Sequence, residues 1–248
     1  MKKSIVVFVC LYTALFSSEL TIAVAANVSY AIKPLIATFK QTHPQTNVEV
    51  ILGSSGKLLA QISHGAPYDL FLSANMQYPN RLYRQGLTVG KPVIYAQGAL
   101  ALLATQPHDF AKGLKVLEDE NIHKIAIANP KTAPYGVAAK EALEHAGLYE
   151  KLKEKFVYGE SISQTVLYAT RAADIGLVAK SSLFSPQMKM YKEGQNWVDV
   201  DATRYTPIAQ GMVLLRRAKE NKDAQNFYDF MLSPKAQEIL KAYGYKVP

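Results

Sequence analysis

Cysteine is almost missing from this chain. The single one, Cys10, lies inside an apolar run over residues 5–16. Beyond that run no disulfide can form and no thiolate can hold a metal. Phe8 and Val9 precede Cys10 where a lipid-attachment signal needs small residues, which speaks against lipidation. Histidine is scarce too: His43, His64, His108, His123 and His145 show no pairing at metal-ligand spacing, so no bare cation is expected. A G-x-S-x-G elbow is absent, and no carboxylate pair suggests general acid–base work. Long hydrophobic runs are also lacking. The one over residues 5–16 is too short to span a bilayer. With Met1-Lys2-Lys3 before it and Ser17-Ser18 after it, the pattern is that of a secretory signal peptide, expected over residues 1–18. A periplasmic location follows from that expectation.

Clustered charge is the remaining absence. Lys and Arg number 28 against 20 Asp and Glu, a balance of +8, or +6 once Lys2 and Lys3 leave with the leader. The basic residues are spread along the chain with no nucleic-acid motif beside them, so no nucleic-acid partner is expected. No repeat of fixed period and no low-complexity tract interrupts the sequence.

What is present is a recurring handover from strand to helix. Val48-Glu49-Val50-Ile51 is a β-branched run that predicts a buried strand. Leu58, Leu59 and Ile62 after it have helical spacing, closed by Gly65 and Pro67. Between them stands Leu52-Gly53-Ser54-Ser55-Gly56-Lys57. Glycine permits close backbone approach, serine supplies a hydroxyl, and a helix start offers unpaired N–H groups. Such a combination holds an anion without a cationic side chain. The same handover recurs at Asn27 after a strand over 20–25, with Asn27 as an N-cap candidate. It recurs at Ser73-Ala74-Asn75 after Leu70 to Leu72, and at Pro134-Tyr135-Gly136 after a strand over 124–128. Glu160-Ser161-Ile162, after a strand over 156–159, completes the set. Open parallel sheets place their ligands at this end of the strands.

Alternating strands and helices predict an α/β fold. Two apolar segments, over 92–104 and 208–215, cross between lobes near residues 95–98 and 203–207. The expected division is lobe 1 over 19–96 and 207–248 and lobe 2 over 97–206, each a mixed, mostly parallel sheet flanked by helices, with a hinge between them. Candidate contacts to a ligand are the Asn27 amide, the Ser55 hydroxyl and the N–H groups of Ala74, Tyr135 and Ile162. An all-donor cavity suits a fully deprotonated tetrahedral dianion such as molybdate or sulfate. Phosphate keeps a proton near neutral pH and needs an acceptor.

Two enzyme readings compete. Gly53-Ser54-Ser55-Gly56-Lys57 lacks the first glycine and the hydroxyl residue of a phosphate loop, for Ile51 and Leu58 stand there. Ser54-Ser55-Gly56-Lys57 matches the S-x-x-K of penicillin-interacting serine enzymes. No S-D-N accompanies it, and Lys131-Thr132-Ala133 is a poor K-T-G.

The stretches around Asn27, Gly53 to Gly56 and Ala133-Pro134-Tyr135-Gly136 resemble the periplasmic molybdate-binding proteins of ABC transporters. So do Gly65-Ala66-Pro67-Tyr68-Asp69-Leu70-Phe71-Leu72-Ser73-Ala74 and the ending Ala236 to Tyr245. The resemblance runs in register over nearly the whole mature chain. It implies a two-lobed type II periplasmic binding protein, not an enzyme, that needs no cofactor. It further implies delivery of molybdate, often tungstate too, to a membrane permease, by a protein expected to be a monomer. Ser55 matches the ligand serine, Asn27 a position held by serine or asparagine, and Ala74, Tyr135 and Ile162 the backbone donors. Ala179 departs from the pattern, falling where some members place a tyrosine that reaches the anion.

Overall fold

The computed structural model describes residues 18–248. The expected leader and Cys10 within it lie outside the described residues, save Ser18, which opens the first strand. The strands are β1 (Ser18–Ala25), β2 (Thr46–Gly53), β3 (Leu70–Ser73), β4 (Val93–Gly98), β5 (Leu100–Leu103), β6 (Ile125–Ala128), β7 (Phe156–Gly159), β8 (Ile175–Ala179), β9 (Trp197–Asp199) and β10 (Ile208–Leu214). The α-helices are α1 (Ile32–Phe39), α2 (Ser55–Ser63), α3 (Gln77–Arg84), α4 (Pro134–His145), α5 (Tyr149–Leu152), α6 (Ile162–Arg171), α7 (Lys180–Leu183), α8 (Lys222–Met231) and α9 (Pro234–Ala242). No helix among the described residues is long and apolar enough to cross a membrane.

Two five-stranded sheets form, in the orders β2-β1-β3-β10-β4 and β7-β6-β8-β5-β9. In each, three parallel strands are followed by one antiparallel strand, which pairs on its other side with the last. This is the two-domain arrangement of mixed, mostly parallel sheets that the alternation of elements predicted. The apolar segment over 92–104 breaks at Ala99, so that β4 ends in the first sheet and β5 begins in the second. Strand β10 carries the chain back and lies antiparallel to β4.

Helices cover both faces of each sheet. Leu58, Leu59 and Ile62 of α2 pack with Ala23, Phe71 and Val213. Leu35 and Phe39 of α1 meet Phe227 and Met231 of α8 on the opposite face. Burying a side chain of this size contributes about 1.5–3 kcal/mol. Pro34 is tolerated because it sits in the first turn of α1, where its missing N–H has no intrahelical acceptor to lose.

Two sequence expectations fail locally. Asn27 does not cap a helix: a 3-10 turn over Ala26–Tyr30 comes first, and the N-cap of α1 is Ala31. The Asn27 side chain is instead fully buried and hydrogen-bonded to distant residues. Ser73-Ala74-Asn75 does not open a helix either. Bends occupy 74–76 and α3 starts at Gln77, where Asn75 Oδ1 accepts the Tyr78 N–H.

Asp69, just ahead of β3, ties strands together. Its carboxylate accepts the Thr21 N–H over 2.9 Å, and its own N–H donates to the Thr21 carbonyl over 2.8 Å. Arg217 approaches it from solvent at 3.4 Å. Replacing Asp69 by Ala orphans the Thr21 N–H next to a buried strand. Urea unfolding is expected to show a loss of about 1.5–3 kcal/mol, the range for a hydrogen bond to a charged group. An unchanged midpoint would refute this role.

Candidate functional site

The strands of both sheets end in small residues at one level. Ala25, Gly53 and Ser73 close β1, β2 and β3, and Ala128, Gly159 and Ala179 close β6, β7 and β8. Where these ends face each other the chain forms a small pocket of about 10 Å³. One wall is residues 25–27, Ser54, Ser55 and Ala74; the other is residues 133–135 and Ile162. All five residues expected to meet a ligand are therefore brought together. No carboxylate and no cation lines this pocket.

Helix starts converge on it. The first N–H groups of a helix have no intrahelical acceptor, and a side-chain cap ordinarily takes one. Here α2 and α4 carry no side-chain cap, and neither does the 3-10 turn that begins at Ala26. In α4 the first residue is Pro134, which has no N–H, so Tyr135 supplies the leading donor. In α6 the Ser161 hydroxyl caps only Gln164, which leaves the Ile162 N–H outside the cap. Each terminus adds the positive end of a helix dipole to the same small space.

The atoms in this set differ from the expected ones at two residues. The Ala74 N–H donates to Ser55 Oγ over 2.9 Å. Ser55, nearly inaccessible, thus has its oxygen fixed and its hydroxyl hydrogen left to give. At Asn27 both amide hydrogens are committed, one to Gln210 Oε1 at 2.8 Å and one to the Tyr245 hydroxyl at 2.9 Å. The residue reaches the pocket, but its free donor is the backbone N–H at the start of the 3-10 turn. Neither partner lies near Asn27 in sequence, and the strand-to-helix pattern carried no signal for them.

Three phenols crowd behind the pocket. The Tyr135 side chain is buried, and its hydroxyl would stand 2.0 Å from a Cβ placed on Gly98, so only glycine fits at that end of β4. Burial pushes the Tyr135 hydroxyl well above the ordinary phenol range, with Tyr245, Tyr95 and Tyr205 reinforcing it. The nearby Asn27 side chain offsets this in part without forming a complete hydrogen bond. Tyr95 and Tyr245 are raised by burial as well. All three stay neutral, so no charge of either sign enters from this side.

Across the pocket mouth the walls touch directly. Gly56 N–H donates to the Thr132 carbonyl over 2.9 Å, and Ser163 Oγ donates to the Ala26 carbonyl over 2.8 Å. Lys57 Nζ meets Glu160 Oε1 at 2.7 Å on the exposed rim. That pairing turns the lysine outward, so the S-x-x-K motif has no base beside Ser54, whose hydroxyl is buried without a partner. Larger cavities lie elsewhere. One of about 310 Å³ adjoins through Ala74 and Pro134 but is faced by Met76, Val137 and Pro207. Another of about 480 Å³ opens beside Lys112 and Arg204. Neither is lined by the expected contact residues, apart from Ala74 in the first. Among the described residues no group of three or more His, Cys, Asp or Glu could hold a metal ion.

Residues 20–246 match the family described as bacterial extracellular solute-binding protein. The molybdate-binding protein ModA of Azotobacter vinelandii is 38% identical over 238 residues, covering 92% of this chain and 90% of its own length. ModA of Rhodobacter capsulatus is 38% identical over 231 residues, covering 92% and 88%. The solved periplasmic molybdate-binding protein of Azotobacter vinelandii superposes with a TM-score of 0.85 at 34% identity, covering 92% of this chain and 99% of that one.

The two walls approach most closely at Gly56. A Cβ there would stand 2.8 Å from the Thr132 carbonyl oxygen and 3.1 Å from its Cα. Gly56→Ala is expected to hold the walls apart and cost at least about tenfold in ligand affinity, or about 1.4 kcal/mol. Stability should not fall, because alanine is the better helix former by about 1 kcal/mol. Calorimetric titration beside thermal unfolding checks the split; equal loss in both would count against it.

Proposed function

The chain belongs to the bacterial extracellular solute-binding proteins, and from that premise we propose that it captures molybdate between its two sheets and delivers it to the permease of an ABC transporter. It is a binding protein, not an enzyme. The observation that carries the anion reading is the donor set: uncapped helix starts from both walls meet in one pocket without a cationic or carboxylate side chain. Contacts to the anion come from the Ser55 hydroxyl and from the N–H groups of Asn27, Tyr135 and Ile162. Ala74 acts one step removed, by orienting Ser55 Oγ. Each contact to a doubly charged oxyanion is a charge-assisted hydrogen bond, stronger than one between neutral groups. Exclusion of water strengthens it further.

Tungstate has the same charge and shape and binds the same donors. Sulfate shares both and differs in size, so cavity dimensions discriminate against it. Hydrogen phosphate brings a proton and finds no ionised acceptor. The protein works as a monomer in the periplasm, exported by the leader over residues 1–18.

Calorimetric titration with molybdate, tungstate, sulfate and phosphate tests this. Heat is expected from the first two only; heat from sulfate alone would assign the pocket to a smaller oxyanion. Ser55→Ala should weaken molybdate binding by about 1.5–3 kcal/mol, the worth of a hydrogen bond to a charged group. An unchanged dissociation constant would remove Ser55 from the site.

A further inference from the structure

Behind the pocket runs a buried hydrogen-bond chain whose direction is fixed at every step. The Ile208 carbonyl can only accept, so Gln210 turns Nε2 toward it, at 2.8 Å. That leaves Gln210 Oε1 as an acceptor, and Asn27 must answer with Nδ2. The second Asn27 amide hydrogen goes to the Tyr245 hydroxyl. Having accepted, that hydroxyl sends its own hydrogen to the Asn27 carbonyl, over 2.9 Å. Ser181 Oγ donates to the same carbonyl over 3.0 Å. Asn27 and Gln210 are fully buried, and Asn27 Oδ1 is left without a partner. An orphaned buried acceptor costs free energy. Apolar side chains in place of both amides would avoid that cost, so packing alone does not account for the arrangement.

The anchors come from the parts of the molecule that join the two sheets. Gln210 sits on β10, the returning strand, at a register shift between Gln210 and Gly211. Bulges of this kind re-aim side chains beside functional sites. Tyr245 belongs to the C-terminal tail, which pairs with β4 through Gln97 and Lys246, at 2.7 and 2.9 Å. Just before it, Gly244 turns with a positive φ of 76°, and a Cβ there would strike Phe184, 2.5 Å away. Ser181 lies on α7, beyond the end of β8 in the second sheet. One asparagine is thus held from the returning strand, from the tail and from the far wall.

We propose that Gln210 and Tyr245 are positioning residues for the anion site: through Asn27 they fix the helix start that faces the pocket and tie it to the strands crossing between the sheets. They do not touch the ligand. The inference rests on the anion reading and adds to it a pair of residues that the ligand set does not contain. Removing either anchor frees the Asn27 amide to rotate and loosens the turn that presents its N–H.

The test is a double-mutant cycle on binding. Gln210→Met and Tyr245→Phe are titrated with molybdate, each alone and combined with Asn27→Ala, with thermal midpoints measured alongside. Each single variant is expected to bind about tenfold more weakly than the unmodified protein, as when one buried hydrogen bond is lost. On the Asn27→Ala background Gln210→Met should cost nothing further, because the side chain it holds is gone, and Tyr245→Phe should cost less than it does alone, because only its bond to the Asn27 carbonyl remains to be lost. Wild-type affinity in the single variants overturns the proposal. So do losses that multiply on the Asn27→Ala background, which would mark a general effect on the fold. If Gln210→Met does not fold, Tyr245→Phe lacks only one hydroxyl and carries the cycle alone. Absence of heat from the unmodified protein would instead sink the anion reading, and this inference with it.

Discussion

A helix start that ends in a dry pocket without a cap leaves N–H donors that nothing in the protein accepts. This structure brings such starts together from both walls, and the rest of the molecule follows from the need to satisfy them. Donors buried without partners are destabilising, and several aimed at one point also repel one another through the positive ends of their dipoles. A guest rich in acceptor oxygens and carrying negative charge relieves both conditions together. Hydroxyls and amides alone suffice for that, because the summed dipoles of α2, α4 and α6 do the work of a formal charge.

Two sheets of matching order make the convergence possible. In each, the three parallel strands run the same way, so their C-terminal ends, and the helix starts that follow, lie along one edge. The fourth strand runs the other way, and in both sheets it is the one that carries the chain across: β5 outward after Gly98, β10 back after Pro207. The chain crosses between the sheets only on this side, and the walls meet at the mouth through hydrogen bonds and one exposed ion pair. Small residues at the strand ends keep the space narrow, and glycine is required where backbones nearly touch. Gly56 meets Thr132 across the mouth, and Gly98 yields to the Tyr135 hydroxyl at the back. Tyr135 therefore serves twice, with its N–H facing the pocket and its ring wedged against the crossing strand.

Much of this is legible in the sequence, for a definite reason. Ser55, Tyr135 and Ile162 belong to strand-to-helix handovers, a local pattern in which strand, turn and helix are encoded within about ten residues. The order of elements is equally local, and the fold class follows from it. Asn27 is where local reasoning stops. As a small polar residue between a strand and a helix it has the credentials of an N-cap, yet its amide pairs with residues 183 and 218 positions away. Tertiary partners override the cap preference, and no spacing rule announces them. Ala74 is a related case: its N–H was visible as a donor, but its acceptor, Ser55 Oγ, appears only when β3 lies beside the start of α2. The 3-10 segment over Phe110–Glu118 buries Phe110, Leu114 and Leu117 at helical spacing, but Gly113, with a positive φ of 54°, breaks it before an α-helix can form.

Neutral donors also suit a protein whose task is transfer. A lysine held in this cleft would need its own desolvation offset by the anion, and the empty site would then bury an unpaired cation. Lys57 is close in sequence but spends its charge on Glu160 at the exposed rim, where an ion pair contributes little. The N–H groups at helix starts carry no such liability. On the proposed function, parting of the walls would let water satisfy them and rehydrate the departing anion. Tight capture and prompt release are then two states of one set of donors, switched by whether water reaches them. The proposed positioning role of Gln210 and Tyr245 links part of that donor set to the strand that returns between the sheets and to the C-terminal tail.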